Sequence, residues 1–243
     1  MTLPFPNSPT GTTGLQKAFT IAIRKRFRLS LRKIYEHLNT HKERLQESIM
    51  IKEAITPNSM TIINGILENL KLDLSPIIKT YIGAVWWKAN KKMAGVMNLG
   101  QWVPFDKRVV KILQDDTYSY LDTFINEKQK ELKYILQTSI SQGDTVSTIG
   151  NYIKDSFKTT SWKSELIARS ETVRVYGISS KMAIKNGGVT YEYKWLTSLK
   201  ENVCPICRPL HGKIFNINDK NAPMPVTDTH PQCNCGIVPH VKI

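Results

Sequence analysis

All four cysteines of this 243-residue chain fall within its last forty residues, and three of its five histidines lie there with them. Cys204-Pro-Ile-Cys207 has the spacing of a chelating turn, in which two thiolates converge on one tetrahedral ion. His230-Pro-Gln-Cys233 offers a second pair with the same two-residue gap, and Cys235 follows Cys233 by two, so in an extended segment both point to one side. Cys204, Cys207, His230, Cys233 and Cys235 thus compete for four positions. The favoured set is Cys204, Cys207 and His230 with either Cys233 or Cys235; four cysteines without His230 is the alternative, and His211 and His240 are weaker candidates. The implied cofactor is structural zinc. About fifty residues with two or three short strands bury too little to hold a shape alone, and a structural zinc site supplies on the order of 10 kcal/mol in small peptides.

The opening segment lacks the basic start and apolar run of a secretory signal. No stretch approaches the ~20 apolar residues that cross a bilayer. A reducing compartment is therefore expected, where clustered cysteines bind metal in preference to pairing as disulfides.

Ahead of this cluster the pattern is helical. Residues 1–14 read as a flexible tail. Phe19, Ile23, Phe27, Leu31, Ile34 and Leu38 recur at spacings of three and four, predicting a helix from Leu15 to about Ile55. Pro57-Asn58-Ser59 predicts a break. A short helix over 61–72 follows, then another from Ser75-Pro76 to about Met97, ended by Leu99-Gly100. Leu121, Phe124 and Ile125 return as Leu132, Ile135 and Leu136, marking a helix over about 106–141. Gly143-Asp144-Thr145 breaks and caps a short helix to about Phe157, and a last helix covers about Trp162–Asn186 before Gly187-Gly188. Alternation and aromatic content then predict strands over 189–196, 212–217 and 236–241, with an irregular proline-rich loop at 218–232. The fold class is mainly α, long helices with a small carboxy-terminal α+β module. The expected domains are a helical body over 15–160 and a unit over 161–243, whose zinc-binding tail starts near 189.

A net charge of +14 favours contact with a polyanion or an acidic protein surface. Arg24, Lys25, Arg26, Arg28, Arg32 and Lys33 form the densest basic run, suited to neutralising phosphates without reading sequence or to docking on an acidic protein; a solvated helix face is the plain alternative. Lys88, Lys91 and Lys92 beside Trp86 and Trp87 make a second patch, where packing between helices is favoured over base stacking. Glu171 and Arg174 are three apart on a helix and read as a surface or inter-helix ion pair.

Trp195-Leu-Thr-Ser-Leu-Lys-Glu-Asn-Val-Cys204-Pro-Ile-Cys207, then His211-Gly-Lys-Ile-Phe215, Pro225, and His230-Pro-Gln-Cys233-Asn-Cys235 resemble the tail of the Mu F-like phage minor head proteins. Ile167-Ala-Arg-Ser-Glu-Thr-Val-Arg-Val-Tyr176 resembles the helix that precedes that tail. The likeness covers about residues 165–240. It departs at His211, where the family usually has Asp, and at Asn234, where it usually has Arg. The resemblance implies a virion component in few copies, in the head interior or at the portal vertex, made in the host cytoplasm. It would act in head assembly and DNA packaging or delivery. Its partners would be portal or major capsid protein and, non-specifically, double-stranded DNA. Binding, not catalysis, is expected, with no membrane and no small-molecule substrate. A zinc-stapled nuclease using His211 and His240 is the competing reading. A zinc-module DNA-binding regulator is the third, and it lacks a recognition helix between the ligand pairs.

Overall fold

The computed structural model describes residues 9–40, 57–99, 107–158, 160–198 and 203–241. Among the described residues five helices come first: α1 Thr13–Thr40, α2 Pro57–Val96, α3 Lys107–Gln142, α4 Val146–Lys158 and α5 Thr160–Gly187. Three strands follow, β1 Glu192–Leu196, β2 Ile214–Asn216 and β3 Gly236–Pro239, with a 3-10 turn at Arg208–Leu210. They form one antiparallel sheet in the order β2-β1-β3. The chain is mainly α with a small carboxy-terminal sheet, as its periodicities predict.

The α1 stripe is buried at Phe19, Ile23, Phe27, Ile34 and Leu38, leaving Leu31 half-covered. The predicted continuation of this helix to Ile55 lies outside the described residues, as do residues 1–8 of the predicted flexible tail 1–14; the rest of that tail is packed, with Thr10 and Thr12 buried and α1 starting at Thr13. Gly143 adopts φ +75° and closes α3, with its own and the next amide donating to the carbonyls of Ile140 and Ser139. Thr145 then caps α4 through a 3.2 Å bond from the Thr148 amide.

One expectation is corrected. The helices predicted over 61–72 and from Ser75 are one continuous helix, α2, with Pro76 inside it. An interior proline costs about 3 kcal/mol, because it removes a bond to the carbonyl four residues back. That carbonyl belongs to Leu72, whose residue is 68% exposed and so within reach of solvent. Meanwhile Ile63, Leu67, Leu70, Leu74, Ile78, Ile82 and Val85 keep one buried stripe in register across the proline. Burying Leu74 and Ile78 alone contributes about 1.5–3 kcal/mol each, which outweighs the lost bond. The helix ends at Val96, close to the expected Met97: Asn98 takes the left-handed conformation at φ 54°, and the Leu99 amide reaches back to the Ala94 carbonyl at 2.9 Å.

The chain divides into two compact units, each assembled from distant segments. One comprises Met1–Thr20, Lys79–Gln114 and Glu165–Ile243 and contains the sheet. The other comprises Ile21–Ile78 and Asp115–Ser164 and is wholly helical among the described residues. In this helical unit Phe27 packs on Phe124. Gly150 of α4 lies close under Tyr35 of α1: a Cβ there would stand 2.8 Å from the Tyr35 hydroxyl.

Candidate metal centre

The sheet unit places its sulfur and imidazole groups together. Cys204 and Cys207 sit on one tight turn, whose geometry is set by the Arg208 amide donating to the Cys204 carbonyl at 3.0 Å and the Leu210 amide donating to the Cys207 carbonyl at 3.1 Å. The Cys207 amide also donates to the Cys204 sulfur at 3.2 Å, a contact that favours thiolate. On the other side, His230 through Cys235 form a second tight segment, with the Cys233 amide on the His230 carbonyl and the Cys235 amide on the Cys233 sulfur at 3.5 Å.

Between these segments, His230 Nε2 lies 2.9 Å from Cys204 Sγ and 3.4 Å from Cys207 Sγ, while Cys207 Sγ lies 3.8 Å from Cys233 Sγ. Two groups of mutually close donors result, Cys204–Cys207–His230 and Cys207–Cys233–Cys235, and Cys207 belongs to both. A tetrahedral zinc with ordinary bond lengths separates two sulfurs by about 3.8 Å, and a sulfur and an imidazole nitrogen by about 3.6 Å. The donor types and most of the spacings therefore fit such an ion; the Cys204–His230 approach is tighter than the ion would leave it. All four cysteines are free of disulfides. These residues can hold a metal ion, and what it would supply is a cross-link between two loops.

The imidazole is set for this role. His230 Nδ1 lies 2.7 Å from the Pro231 carbonyl oxygen, which can only accept. The proton therefore sits on Nδ1, and the Nε2 lone pair faces the sulfurs, the arrangement in which a second hydrogen bond orients a ligating histidine. Burial pushes the Cys207 thiol up to about 12, while hydrogen bonding, first from the Cys235 thiol, pulls Cys233 down to about 5 and leaves the Cys235 thiol raised. Crowded sulfurs holding one another's protons are what a cation would replace.

Several supports went unread in the sequence. Ser170 on α5 accepts the Gln232 amide at 2.9 Å, holding Gln232 at φ 61° midway between His230 and Cys233. The proline-rich loop is pinned by Asp228, which accepts the Met224 amide at 2.8 Å, and by Tyr193 of β1, whose hydroxyl donates to the Pro223 carbonyl at 2.6 Å. Gly177 of α5 lets Met224 and Pro225 lie against the helix. A serine in a helix carries no sequence signal for such a bond; the alternation of 189–196 did predict the strand that carries Tyr193.

The other sequence candidates are dispersed. His211 belongs to neither donor group, and its Nδ1 accepts the Thr197 amide at 3.1 Å. His240 lies 4.0 Å from the Glu192 carboxylate and belongs to neither donor group. Glu171 and Arg174 are a correction to the surface reading. They form a buried pair within α5, with the Arg174 guanidinium bonding the Glu171 carboxylate at 2.7 and 2.9 Å and the Leu113 carbonyl at 3.0 Å. Of the tryptophans, Trp86 is buried, while Trp87 is 45% exposed with the Lys91 ammonium 4.9 Å from its ring centre. In the basic run, Lys25, Arg28, Arg32 and Lys33 are exposed. Arg24 and Arg26 are half-covered, and Arg32 pairs with Glu36 at 3.3 Å.

Residues 130–238 match the family model described as Phage Mu protein F like protein. This stretch is similar to the Mu F-like proteins. It holds every donor of the metal centre, the α5 serine that braces it and all of the sheet but Pro239, the last residue of β3. The likeness suggests a phage head-related protein. No curated protein and no solved structure matches the chain. Among the described residues no helix is long and apolar enough to cross a membrane.

Proposed function

We propose that the protein is a minor component of a phage head that works by binding near the portal vertex during head assembly and DNA packaging or delivery. The observation that carries this reading is the convergence of Cys204, Cys207, His230 and Cys233 inside the Mu F-like stretch. Zinc is the ion proposed there, because soft thiolates with one imidazole in a tetrahedral arrangement select it. Its role is to fix the shape of the tail that the head recognises. A family of structural head proteins supports binding over turnover. The nuclease reading draws no support from His211, whose Nδ1 is committed to the Thr197 amide.

The partners proposed are portal or major capsid protein. Non-specific duplex DNA is a further partner, to be met by the exposed basic face of α1, with an affinity that falls steeply as salt rises. The test is fractionation of phage particles made with a tagged copy of this chain. The tag is expected to sediment with heads. A tag recovered only outside particles, or DNA cleavage by the purified protein that survives mutation of the metal centre, would overturn the proposal.

A further inference from the structure

The helical unit contains a cleft of about 390 Å³ between α1 and α4. Arg24 and Arg28 line one side and Lys154 and Lys158 the other. Each pair is spaced i, i+4, so each places two cations one turn apart on one helical face. Between them the lining is apolar, with Leu31 half-covered and Phe27 and Phe157 buried. Of the seven lining residues four are cationic and none is acidic. Lys158 pairs with Asp155 at 2.7 Å, but both side chains are more than half exposed, and such a pair exchanges readily for a competing carboxylate.

A row of cations alone would suit DNA. This arrangement is different, because the cations rim a recess with a hydrocarbon interior. A phosphodiester backbone has no apolar group to fill that interior. Base stacking is also disfavoured, since Phe27 and Phe157 are 1% and 5% exposed and offer no free ring face. A peptide that alternates carboxylates with a bulky apolar side chain satisfies both features. Its apolar group displaces water from the recess, and its carboxylates meet the arginine and lysine pairs.

We propose that the α1–α4 cleft binds an acidic segment of a partner protein, with an apolar side chain seated over Leu31 between the Arg24–Arg28 and Lys154–Lys158 pairs. This names the chemistry of one partner within the head-binding role, and rests on that role for its setting. Lys154 and Lys158 lie beyond the basic run that the sequence singles out, and the fold alone brings them to it.

The probe is a short fluorescein-labelled peptide with Phe and Leu set between Asp and Glu, titrated into the full chain by anisotropy. Polyglutamate of the same length and a short DNA duplex serve as comparisons. The peptide is expected to bind more tightly than polyglutamate. Lys154→Glu/Lys158→Glu, at two exposed positions, should weaken the peptide by about tenfold or more. Leu31→Ala should weaken the peptide and leave polyglutamate unchanged. Melting curves for each variant confirm that the helices are intact. The inference is overturned if the peptide fails to bind, if it binds no better than polyglutamate, or if the charge reversal weakens DNA and spares the peptide. A chain that still sediments with heads while failing these titrations keeps its head role and loses this cleft. A chain absent from heads that still binds the peptide loses the role and keeps the cleft.

Discussion

His230 turns its Nε2 toward the Cys204 sulfur at 2.9 Å because the Pro231 carbonyl holds its Nδ1 proton. The relationship assigns the histidine a ligand's tautomer, and it ties the two loops whose sequence separation is greatest within the cluster. Replacing the imidazole removes one donor and one loop-to-loop tie together. His230→Ala should lower the zinc content of the purified protein below one ion per chain. His230→Cys, which restores a soft donor at the same place, should recover most of it. Metal analysis after dialysis against a weak competing chelator reads both outcomes. Full zinc occupancy in His230→Ala would remove the histidine from the ligand set and leave the four cysteines.

Metal removal should act locally. The sheet is short, with β2 three residues long and β3 four, and it carries the loops that hold the cluster. The five helices draw on their own buried stripes instead. A strong chelator is therefore expected to expose the region after β1 to protease while leaving the helical circular dichroism nearly intact. Mass spectrometry of the first fragments checks this, with cuts expected between 199 and 241. Unchanged protection of that region after complete metal removal would contradict the cross-linking role.

The buried pair in α5 gives a third expectation. Glu171 and Arg174 side chains are 8% and 11% exposed. Arg174→Met would remove the Arg174 guanidinium from the buried Glu171 carboxylate, at a cost of about 3–5 kcal/mol. Glu171→Gln/Arg174→Met removes both charges and should be less destabilised than the single variant. Urea titration of the three proteins measures the difference. Equal losses in the single and double variants would mean that the bond from Arg174 to the Leu113 carbonyl, not the ion pair, carries the stability.

What the sequence made legible follows from how far each signal reaches along the chain. Period-two alternation and aromatic content place β1 at Tyr193, Trp195 and their neighbours, because the alternation of a strand is a local pattern. The cysteine spacings place both loops for the same reason. Pro76 misleads because its local cost is visible and the burial that outweighs it is not; Leu74 and Ile78 are ordinary apolar residues until their neighbours are known. Ser170 and His211 are opposite cases of one limit. A helical serine that grips the Gln232 amide looks like any other serine, and a histidine near the chelating turn looks like a ligand until Thr197 is found donating to it. Lys154 and Lys158 likewise become part of a basic cleft only when α4 is laid beside α1.

Lys92 provides a pH-dependent test of the unit that holds the sheet. Its ammonium donates to the Pro9 carbonyl at 2.6 Å and stands 5.6 Å from the Tyr176 ring centre. Burial, and then the nearby charge of Lys88, lower its pKa from 10.5 to about 8. In the unfolded chain the same group keeps its proton to near the ordinary lysine value. Between about pH 8 and 10.5 the unfolded state therefore binds the extra proton, and the linkage slope makes the folded state gain stability as pH rises. Below pH 8 both states are protonated and the contribution is flat. The melting temperature of the natural protein should thus rise relative to Lys92→Met between pH 7 and about pH 9.5, before ordinary tyrosines titrate near 10. Comparing the two proteins at each pH cancels every other titrating group that Lys92 does not touch. A difference that stays constant across that range would show that Lys92 keeps an ordinary pKa. Its contact with the Pro9 carbonyl would then leave the ammonium well solvated.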